Sequence, residues 1–258
     1  MPRSLTAALA ALALTAPGTA AAATAQDPPL PQGGEPVTLD PADFTTRIDN
    51  PYWPMAAGTR WVYRETDGRG NRQKVVVRVT RRTRMVDGIR ARVVRDTVTE
   101  RGRLVEDTFD WYAQDRAGNV WYLGEATREY EDGRFVGNDG SFEAGVDGAQ
   151  AGIAMPANPV PGLRYRQEYK RGEAEDRARV LSVTEQAQVP FGRFPRRVLL
   201  TKDVNPLEPR VLEYKLYARG VGPVLVLDVS GGTGREELLS FRRPASSPAR
   251  PARAAAGR

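Results

Sequence analysis

Three carboxylate side chains, Asp96, Asp107 and Glu125, are the candidates for acid–base catalysis or metal binding in this chain. The 258-residue sequence contains no histidine and no cysteine, which excludes a Ser-His-Asp triad, a Cys-His pair, and zinc, haem or iron–sulfur ligation by those residues. Acid–base chemistry would therefore fall to Asp, Glu, Tyr or Lys. Any bound metal would need oxygen ligands, as calcium, magnesium and manganese do.

The three carboxylates allow two interpretations. In the first they form an ion-pair patch where a sheet face meets solvent, neutralised by Arg81, because unpaired buried carboxylates are costly. In the second they line a cavity, where they act as an acid–base pair of the glycosidase kind or hold a hard cation. The sequence favours the first interpretation and leaves the second open. We expect no cofactor and no resident metal.

Turn signals in residues 73–130 position these carboxylates. Asp87-Gly88 and Arg101-Gly102 each predict a two-residue hairpin turn, and Asp115–Asn119 predicts a three-residue loop with Gly118 as its bulge. Because opposite residues in an antiparallel pair share a sheet face, these turns fix the face of every side chain between them. The resulting cross-strand pairs are Val79–Asp96, Asp96–Asp107 and Phe109–Glu125.

The same pairing predicts one apolar face, which we expect to be the concave lining of a binding cavity. The candidate ligand-binding residues on it are Val98, Phe109, Trp111 and Trp121, with Phe142 and Met155 at the cavity mouth. We expect the opposite face to be wetter, and it carries Arg78, Arg92, Glu106, Asp110, Tyr112 and Tyr122.

The wider pattern predicts a mainly β fold. Runs rich in Val, Tyr, Thr, Trp and Arg recur about every dozen residues and are separated by turn signals, which is typical of an antiparallel meander. We expect the meander to curl into an open barrel or half-barrel. No run shows sustained helical periodicity, so we expect little helix, at most a short one near Asp147–Ile153.

Composition divides the chain into four parts. Residues 1–25 are predicted to be a secretory signal peptide, 26–43 a flexible Pro/Gly-rich lead-in, 44–241 one β domain, and 242–258 a disordered Arg/Pro/Ala tail. After cleavage we expect no transmembrane anchor, and the protein to be secreted or extracytoplasmic.

The excess of positive over negative charge lies at the two ends of the chain. The net charge of +6 is accounted for by Arg3 and the five arginines after residue 241, so residues 26–241 are electrically balanced. We therefore expect no nucleic-acid partner, because a fold that binds nucleic acid carries its basic surface on the fold itself. The basic tail could touch anionic surfaces.

Two stretches carry a family resemblance. The first is Asn50–Pro54 followed by Gly58–Tyr63, and the second is Asp110–Asp115 followed by Gly118–Glu125. Together they resemble uncharacterised secreted bacterial proteins that share an NPYWP…GTxWVY opening and a DWYAQDxxGNVWYxGE hairpin. The resemblance covers most of residues 44–230. It implies export and a β-rich fold similar to envelope proteins with a curved antiparallel sheet, and it implies no activity.

These observations favour an exported, non-enzymatic binding or envelope-associated protein. Its partner would be an apolar small molecule held in the curved sheet, or a component of the cell envelope. The alternative from another class is a carboxylate-dependent hydrolase of an extracytoplasmic glycan or ester. A second alternative is a structural interaction module.

Overall fold

Runs of β-branched and aromatic residues form the long strands of this protein, because such side chains pack well on a pleated surface. A computed structural model describes residues 29–67 and 69–244, which contain fifteen strands and one 3₁₀ turn at Pro41–Asp43. The strands are β1 (Arg60–Thr66), β2 (Arg72–Val86), β3 (Ile89–Glu100), β4 (Arg103–Gln114), β5 (Val120–Ala126), β6 (Glu129–Glu131), β7 (Arg134–Gly137), β8 (Phe142–Glu143), β9 (Gly152–Met155), β10 (Arg164–Arg166), β11 (Arg177–Val189), β12 (Gly192–Val204), β13 (Leu212–Ala218), β14 (Gly222–Ser230) and β15 (Arg235–Arg242).

The strands form one antiparallel meander, which confirms the predicted fold class. Hydrogen-bonded neighbours follow the order β10-β11-β12-β13-β14-β15-β1-β2-β3-β4-β5-β8, with β9 beside β5 and the β6–β7 hairpin beside β4. The pairing of β15 with β1 joins the two halves of the chain. Among the strands of residues 29–67 and 69–244, no continuous ladder joins the two ends of this path, so the barrel is not closed.

A seam brings the open ends of the barrel together. A single bridge pairs Gln150 with Tyr169, through a bond of 2.7 Å from the Gln150 N–H to the Tyr169 carbonyl. Beside it, the Arg166 guanidinium donates to the Ala151 carbonyl at 3.0 and 2.8 Å. Gly152 packs so tightly that an added Cβ would lie 2.2 Å from the Gln167 carbonyl oxygen. Close backbone contact thus replaces a ladder at the seam.

The described part of the lead-in, residues 29–43, packs against the barrel. The backbone N–H of Arg166 donates to the Pro31 carbonyl at 2.7 Å. Leu30, Val37 and Leu39 are partly buried against the main core. The predicted signal segment, and the tail beyond residue 244, lie outside the described residues and stay predictions. In the described part, no helix is long and apolar enough to cross a membrane.

The three predicted turns are present. Asp87 and Gly88 have φ values of 46° and 76°, and Arg101 and Gly102 have 49° and 83°, as type I′ turns require. Gly118 has φ 97° and occupies the predicted bulge position.

Bulges beyond these turns change the predicted pairing. In β2–β3 an irregularity between Val79 and Thr83 moves the partner of Asp96 from Val79 to Val77, which keeps the same face. In β3–β4 a one-residue bulge between the Val98 and Thr99 pairs makes Thr108, rather than Asp107, the partner of Asp96. The predicted Asp96–Asp107 pair is therefore wrong.

A second one-residue bulge, between β4 and β5, makes Asp110 rather than Phe109 the partner of Glu125. The predicted Phe109–Glu125 pair is therefore also wrong. Gly124 at this bulge has φ 139°, and a Cβ there would lie 2.3 Å from the Phe142 carbonyl oxygen, so glycine is required. Because of the first bulge, the β4 side chains after it point to the faces opposite to those predicted. The second bulge reverses the change in β5, so Glu125 is on the same face as Asp96, as predicted.

The residues predicted to share one concave face are divided between the two faces of the sheet. Val98 and Trp111 lie on opposite faces of the sheet, and Asp107 and Phe109 lie with Trp111 on the outer side. Asp110 and Tyr112, which were expected on the wetter face, are buried on the inner side.

The expected helix near Asp147–Ile153 is also absent. Asp147 and Gly148 have positive φ values of 51° and 78°, which end any right-handed helix. Gly152–Met155 is instead the buried strand β9 beside β5.

The seam predicts a selective effect of one added methyl group. Gly152→Ala drives a Cβ into the Gln167 backbone, so we expect it to lower the free energy of unfolding by about 2 kcal/mol. The matched control is Gly192→Ala, where a Cβ meets nothing within 4 Å and φ is not positive, so its effect should be near zero. Urea denaturation of both variants checks this, and equal effects would contradict a tightly packed seam.

Candidate functional site

The inner side of the barrel encloses a cavity of about 270 Å³. Strands β1–β4 form one wall and β13–β15 the other, and the Trp53–Met55 segment and Gln167 complete it. The lining residues are Trp53, Met55, Trp61, Tyr63, Val77, Val94, Asp96, Asp110, Tyr112, Gln167, Lys215, Tyr217, Pro223, Val226 and Glu236. Aromatic rings and charged groups therefore share one partly open cavity, which is the candidate functional site.

Of the three predicted carboxylates, Asp96 lines this cavity. Asp107 lies on the outer face, where it accepts two hydrogen bonds from the Arg95 guanidinium at 2.7 and 2.9 Å. Glu125 faces inward next to Asp110 but does not line the cavity. The predicted cluster of Asp96, Asp107 and Glu125 is thus not assembled, because the bulges on the two sides of β4 separate its members.

The predicted ligand-binding residues lie elsewhere. Phe109 and Trp111 face outward, where the guanidinium of Arg84 lies 4.1 Å from the centre of the Trp111 ring. Trp121 also faces outward and lines a separate groove beneath the lead-in. Val98 is buried on the inner face, and Phe142 and Met155 are buried in hydrophobic clusters, but none of the three lines the cavity.

Asp96 is held in an unusual electrostatic state. Its Oδ1 atom is buried and has no hydrogen-bond partner among the described residues. Burial, followed by the nearby charge of Glu106, raises the pKa of Asp96 to about 7. A buried carboxylate oxygen without a partner is costly, so Oδ1 is an unsatisfied acceptor in the wall of the cavity.

Asp110 and Glu125 share a tyrosine. The Tyr122 hydroxyl lies 2.8 Å from Asp110 Oδ1 and 2.5 Å from Glu125 Oε2. A hydroxyl has one hydrogen to donate, so both contacts are hydrogen bonds only if one carboxyl carries a proton and donates it to the tyrosine oxygen. Burial raises the pKa of Glu125 to about 7, and burial together with the Glu125 charge raises the pKa of Asp110.

Lys215 is the cationic residue that lines the cavity, and it already forms ion pairs with two carboxylates. Its Nζ lies 3.2 Å from Asp203 Oδ2 and 3.2 Å from Glu213 Oε2. Burial lowers the pKa of Lys215, but these carboxylates outweigh burial and raise it above its ordinary value. Lys215 therefore stays charged without neutralising Asp96.

Glu236 connects the cavity to an acidic mouth. A groove of about 290 Å³ shares Lys215, Val226 and Glu236 with the cavity. Burial, then the charges of Asp96 and Glu65, raises the pKa of Glu236 to about 8. The remaining members of the mouth are Glu65, Thr66, Asp67, Glu213, Asp228, Gly234 and Arg235. Acidic side chains thus outnumber basic ones along the whole path.

The aromatic residues are fixed by backbone contacts. Trp61 Nε1 donates to the Val221 carbonyl at 2.8 Å, and the Tyr63 hydroxyl donates to the Pro223 carbonyl at 3.1 Å. The Trp53 ring packs on the rings of Tyr112 and Tyr217, with centroid distances of 5.7 and 5.9 Å. These contacts hold π faces toward the cavity in defined orientations.

The two stretches that carry the family resemblance touch each other at this wall. Asn50 donates through Nδ2 to the Gly118 carbonyl at 3.0 Å, and its Oδ1 accepts from the Tyr52 N–H at 2.9 Å. The Gln114 Oε1 atom accepts from the backbone of Asp49 and Asn50, both at 2.9 Å. The first stretch therefore holds Trp53 over the cavity by bonding to the hairpin of the second.

Sequence reasoning missed Lys215, Tyr217 and Glu236. In β13, Lys215 and Tyr217 alternate with Leu212, Tyr214 and Leu216, so hydrophobicity alone predicts the wrong inner face of that strand. The weak available signal was the period-two placement of Lys215 and Tyr217 on one strand face.

The arrangement can bind a positively charged group and can exchange protons near neutral pH. Carboxylates and π faces both attract cations. Among the described residues, no group of three or more acidic side chains is arranged to hold a metal ion.

The raised pKa of Asp96 predicts a pH-dependent stability with a defined sign. The folded state binds the Asp96 proton more tightly than the unfolded state, so stability falls as pH rises from the ordinary value of 3.8 to about 7. Asp96→Asn removes this loss and is expected to raise the free energy of unfolding at pH 8 by about 2–4 kcal/mol. The advantage should shrink as the pH is lowered toward 4.

Thermal unfolding measured across this pH range checks the Asp96 prediction. Asp107→Asn is the matched control, since it makes the same chemical change in an outer ion pair and should lower the melting temperature slightly at pH 8. A destabilised Asp96→Asn protein at pH 8 would contradict a buried, unpartnered carboxylate.

Comparisons with known proteins find likeness in structure and none in sequence families. No protein-family model matches the chain, and no curated protein matches it. A candidate exported protein with a YmcC-like fold from Bacteroides fragilis matches at 14% identity with a TM-score of 0.44, over 74% of this chain and 99% of that one. A candidate lipoprotein from Parabacteroides distasonis matches at 14% identity with a TM-score of 0.42, over 74% of this chain and 98% of that one.

Proposed function

We propose that this chain is an exported, non-enzymatic binding protein that holds a small ligand inside its open barrel. The observation that carries the proposal is a cavity lined by Asp96 and Gln167, whose Oδ1 and Oε1 atoms are buried without hydrogen-bond partners among the described residues. Buried polar atoms in folded proteins are normally paired, so unpaired acceptors in a cavity mark positions for a ligand or water. The predicted signal peptide supports export, as does the resemblance to secreted proteins.

The chemistry of the lining favours a ligand with a cationic amine on an apolar or aromatic body. A purely apolar ligand would seal Asp96 and Gln167 away from water and leave their acceptors unsatisfied. An ammonium group would donate to both and neutralise the carboxylates that Lys215 leaves uncompensated. The surrounding rings of Trp53, Trp61, Tyr63, Tyr112 and Tyr217 would contact the body of the ligand and add cation–π attraction.

The geometry gives less support to a hydrolase. A carboxylate hydrolase requires an acid and a base that reach one substrate, and Asp107 and Glu125 were the expected pair. Asp107 forms an ion pair with Arg95 on the outer face, whereas Glu125 faces inward beside Asp110. Asp107 and Glu125 therefore share no cleft. Binding rather than turnover is therefore the better account of the buried acids.

A bulky substitution where the acidic mouth meets the cavity tests the proposal. Val226 lines both spaces, and Val226→Trp would fill the junction and block entry. We expect a small aromatic or aliphatic amine from a screening panel to bind the parent protein, and Val226→Trp to weaken it at least about tenfold. Isothermal titration calorimetry measures the affinity, and circular dichroism checks the fold.

Val229→Trp is the matched control, since Val229 lies on the same strand but is 43% exposed on the outer side. It should bind the amine as the parent does. Equal binding by the Val226 and Val229 variants would overturn an interior site. A neutral isostere that binds as tightly as the amine, while Val226→Trp still blocks it, would keep the interior site and overturn the cationic ligand.

A further inference from the structure

An array of cations lies on the outer side of the barrel, at the opposite face of the sheet from the acidic cavity. Arg164 in β10 pairs directly with Arg179 in β11, and Arg179 pairs with Lys202 in β12. One step along the same ladder, Arg166 pairs with Arg177. Since directly paired residues share a sheet face, the five cations stand together on three adjacent strands.

Such an array is unfavourable by itself. Neighbouring strands lie about 4.8 Å apart, so each direct pair roots two side chains of like charge next to each other. None of the five side chains forms an ion pair within the described residues. Elsewhere on the outer side arginines do find partners, as Arg95 does with Asp107 and Arg84 with Glu143. The lack of acids around the array is therefore local.

The array lines a groove rather than a flat surface. Its volume is about 460 Å³, and its lining residues are Gln32, Arg164, Tyr165, Arg177, Ala178, Arg179, Lys202 and Val204. No acidic residue is among them. The lead-in forms one rim, where the Gln32 side chain donates to the Arg164 carbonyl.

Arg166 lies on the same strand face as Arg164 and is buried beside the groove. Its side chain donates to the carbonyls of Gly33, Glu35 and Ala151, and the Glu35 carboxylate is near enough to attract it without an ion-pair contact among the described residues. The charge of Arg166 is therefore partly balanced by the lead-in, and the cations that line the groove are Arg164, Arg177, Arg179 and Lys202.

We propose that this groove is a binding site for a phosphate group. Arginine side chains grip phosphate oxygens with two parallel N–H donors, and a dianion placed between Arg164, Arg177 and Arg179 would replace their mutual repulsion with charge-assisted hydrogen bonds. Lys202 supplies a fourth donor at the end of the row. The phosphate belongs either to a free small molecule or to the headgroup of an anionic phospholipid, and the two sources share this chemistry.

The test removes three exposed or half-exposed charges from the groove. The variant R164Q/R179Q/K202Q is compared with R81Q/R82Q/R90Q, which removes three exposed arginines that form no ion pair in the described residues and lie far along β2 and β3. Both variants lose the same net charge. Binding of inorganic phosphate is measured by calorimetry against chloride at equal ionic strength, and flotation is measured with phosphatidylcholine vesicles with and without phosphatidic acid.

The expected result is that the groove variant binds phosphate, or phosphatidic acid vesicles, at least about tenfold more weakly than the parent, while the control variant keeps parental binding. Binding to phosphate in solution identifies a free ligand, and binding to vesicles alone identifies a headgroup. The proposal is overturned if neither probe binds the parent or if both triple variants lose binding equally. The single variant R179Q removes the central charge and gives the same comparison should the triple variant not fold.

Discussion

The strict alternation of side chains along a β-strand is the constraint on which this structure depends. One residue points into the barrel and the next points out, so a one-residue bulge exchanges the two sets for the rest of the strand pair. The bulges on both sides of β4 therefore decide what the cavity contains. They place Asp110 and Tyr112 inside and send Asp107 and Trp111 outside. The electrostatics of the interior follow from this exchange.

Turn chemistry and strand positions were readable from the sequence, whereas the bulges were not. Asp87-Gly88 and Arg101-Gly102 have the positive φ values that their residue types predict, and β4 begins and ends where predicted. The bulge between the Val98 and Thr99 pairs has no such signal. Its extra residue is Val105, which is apolar and would suit an inward position opposite Val98. Gly124 marks the second bulge, but a glycine in a strand indicates only a bend or a close approach.

Burying several carboxylates in one barrel opposes folding, and the structure reduces this cost in two ways. Asp203 and Glu213 are paired with Lys215, and Asp110 and Glu125 meet across the Tyr122 hydroxyl, where their raised pKa values favour protonation of one carboxyl. Asp96 receives neither kind of compensation. Asp176 Oδ1 is also buried without a partner, so the interior holds carboxylate oxygens that neither ion pairs nor shared protons compensate.

The sheet separates opposite charges across the thickness of a single layer. Along β10, β11 and β12 the row Tyr165–Ala178–Asp203 faces inward, and the adjacent row Arg164–Arg179–Lys202 faces outward. A chain that is electrically balanced between residues 26 and 241 thus presents an acidic interior and a basic outer groove. Net charge could not reveal either one, because alternation distributes the two signs to opposite sides of the same strands. The two signs of charge stay separate because side chains that alternate along a strand never share a face.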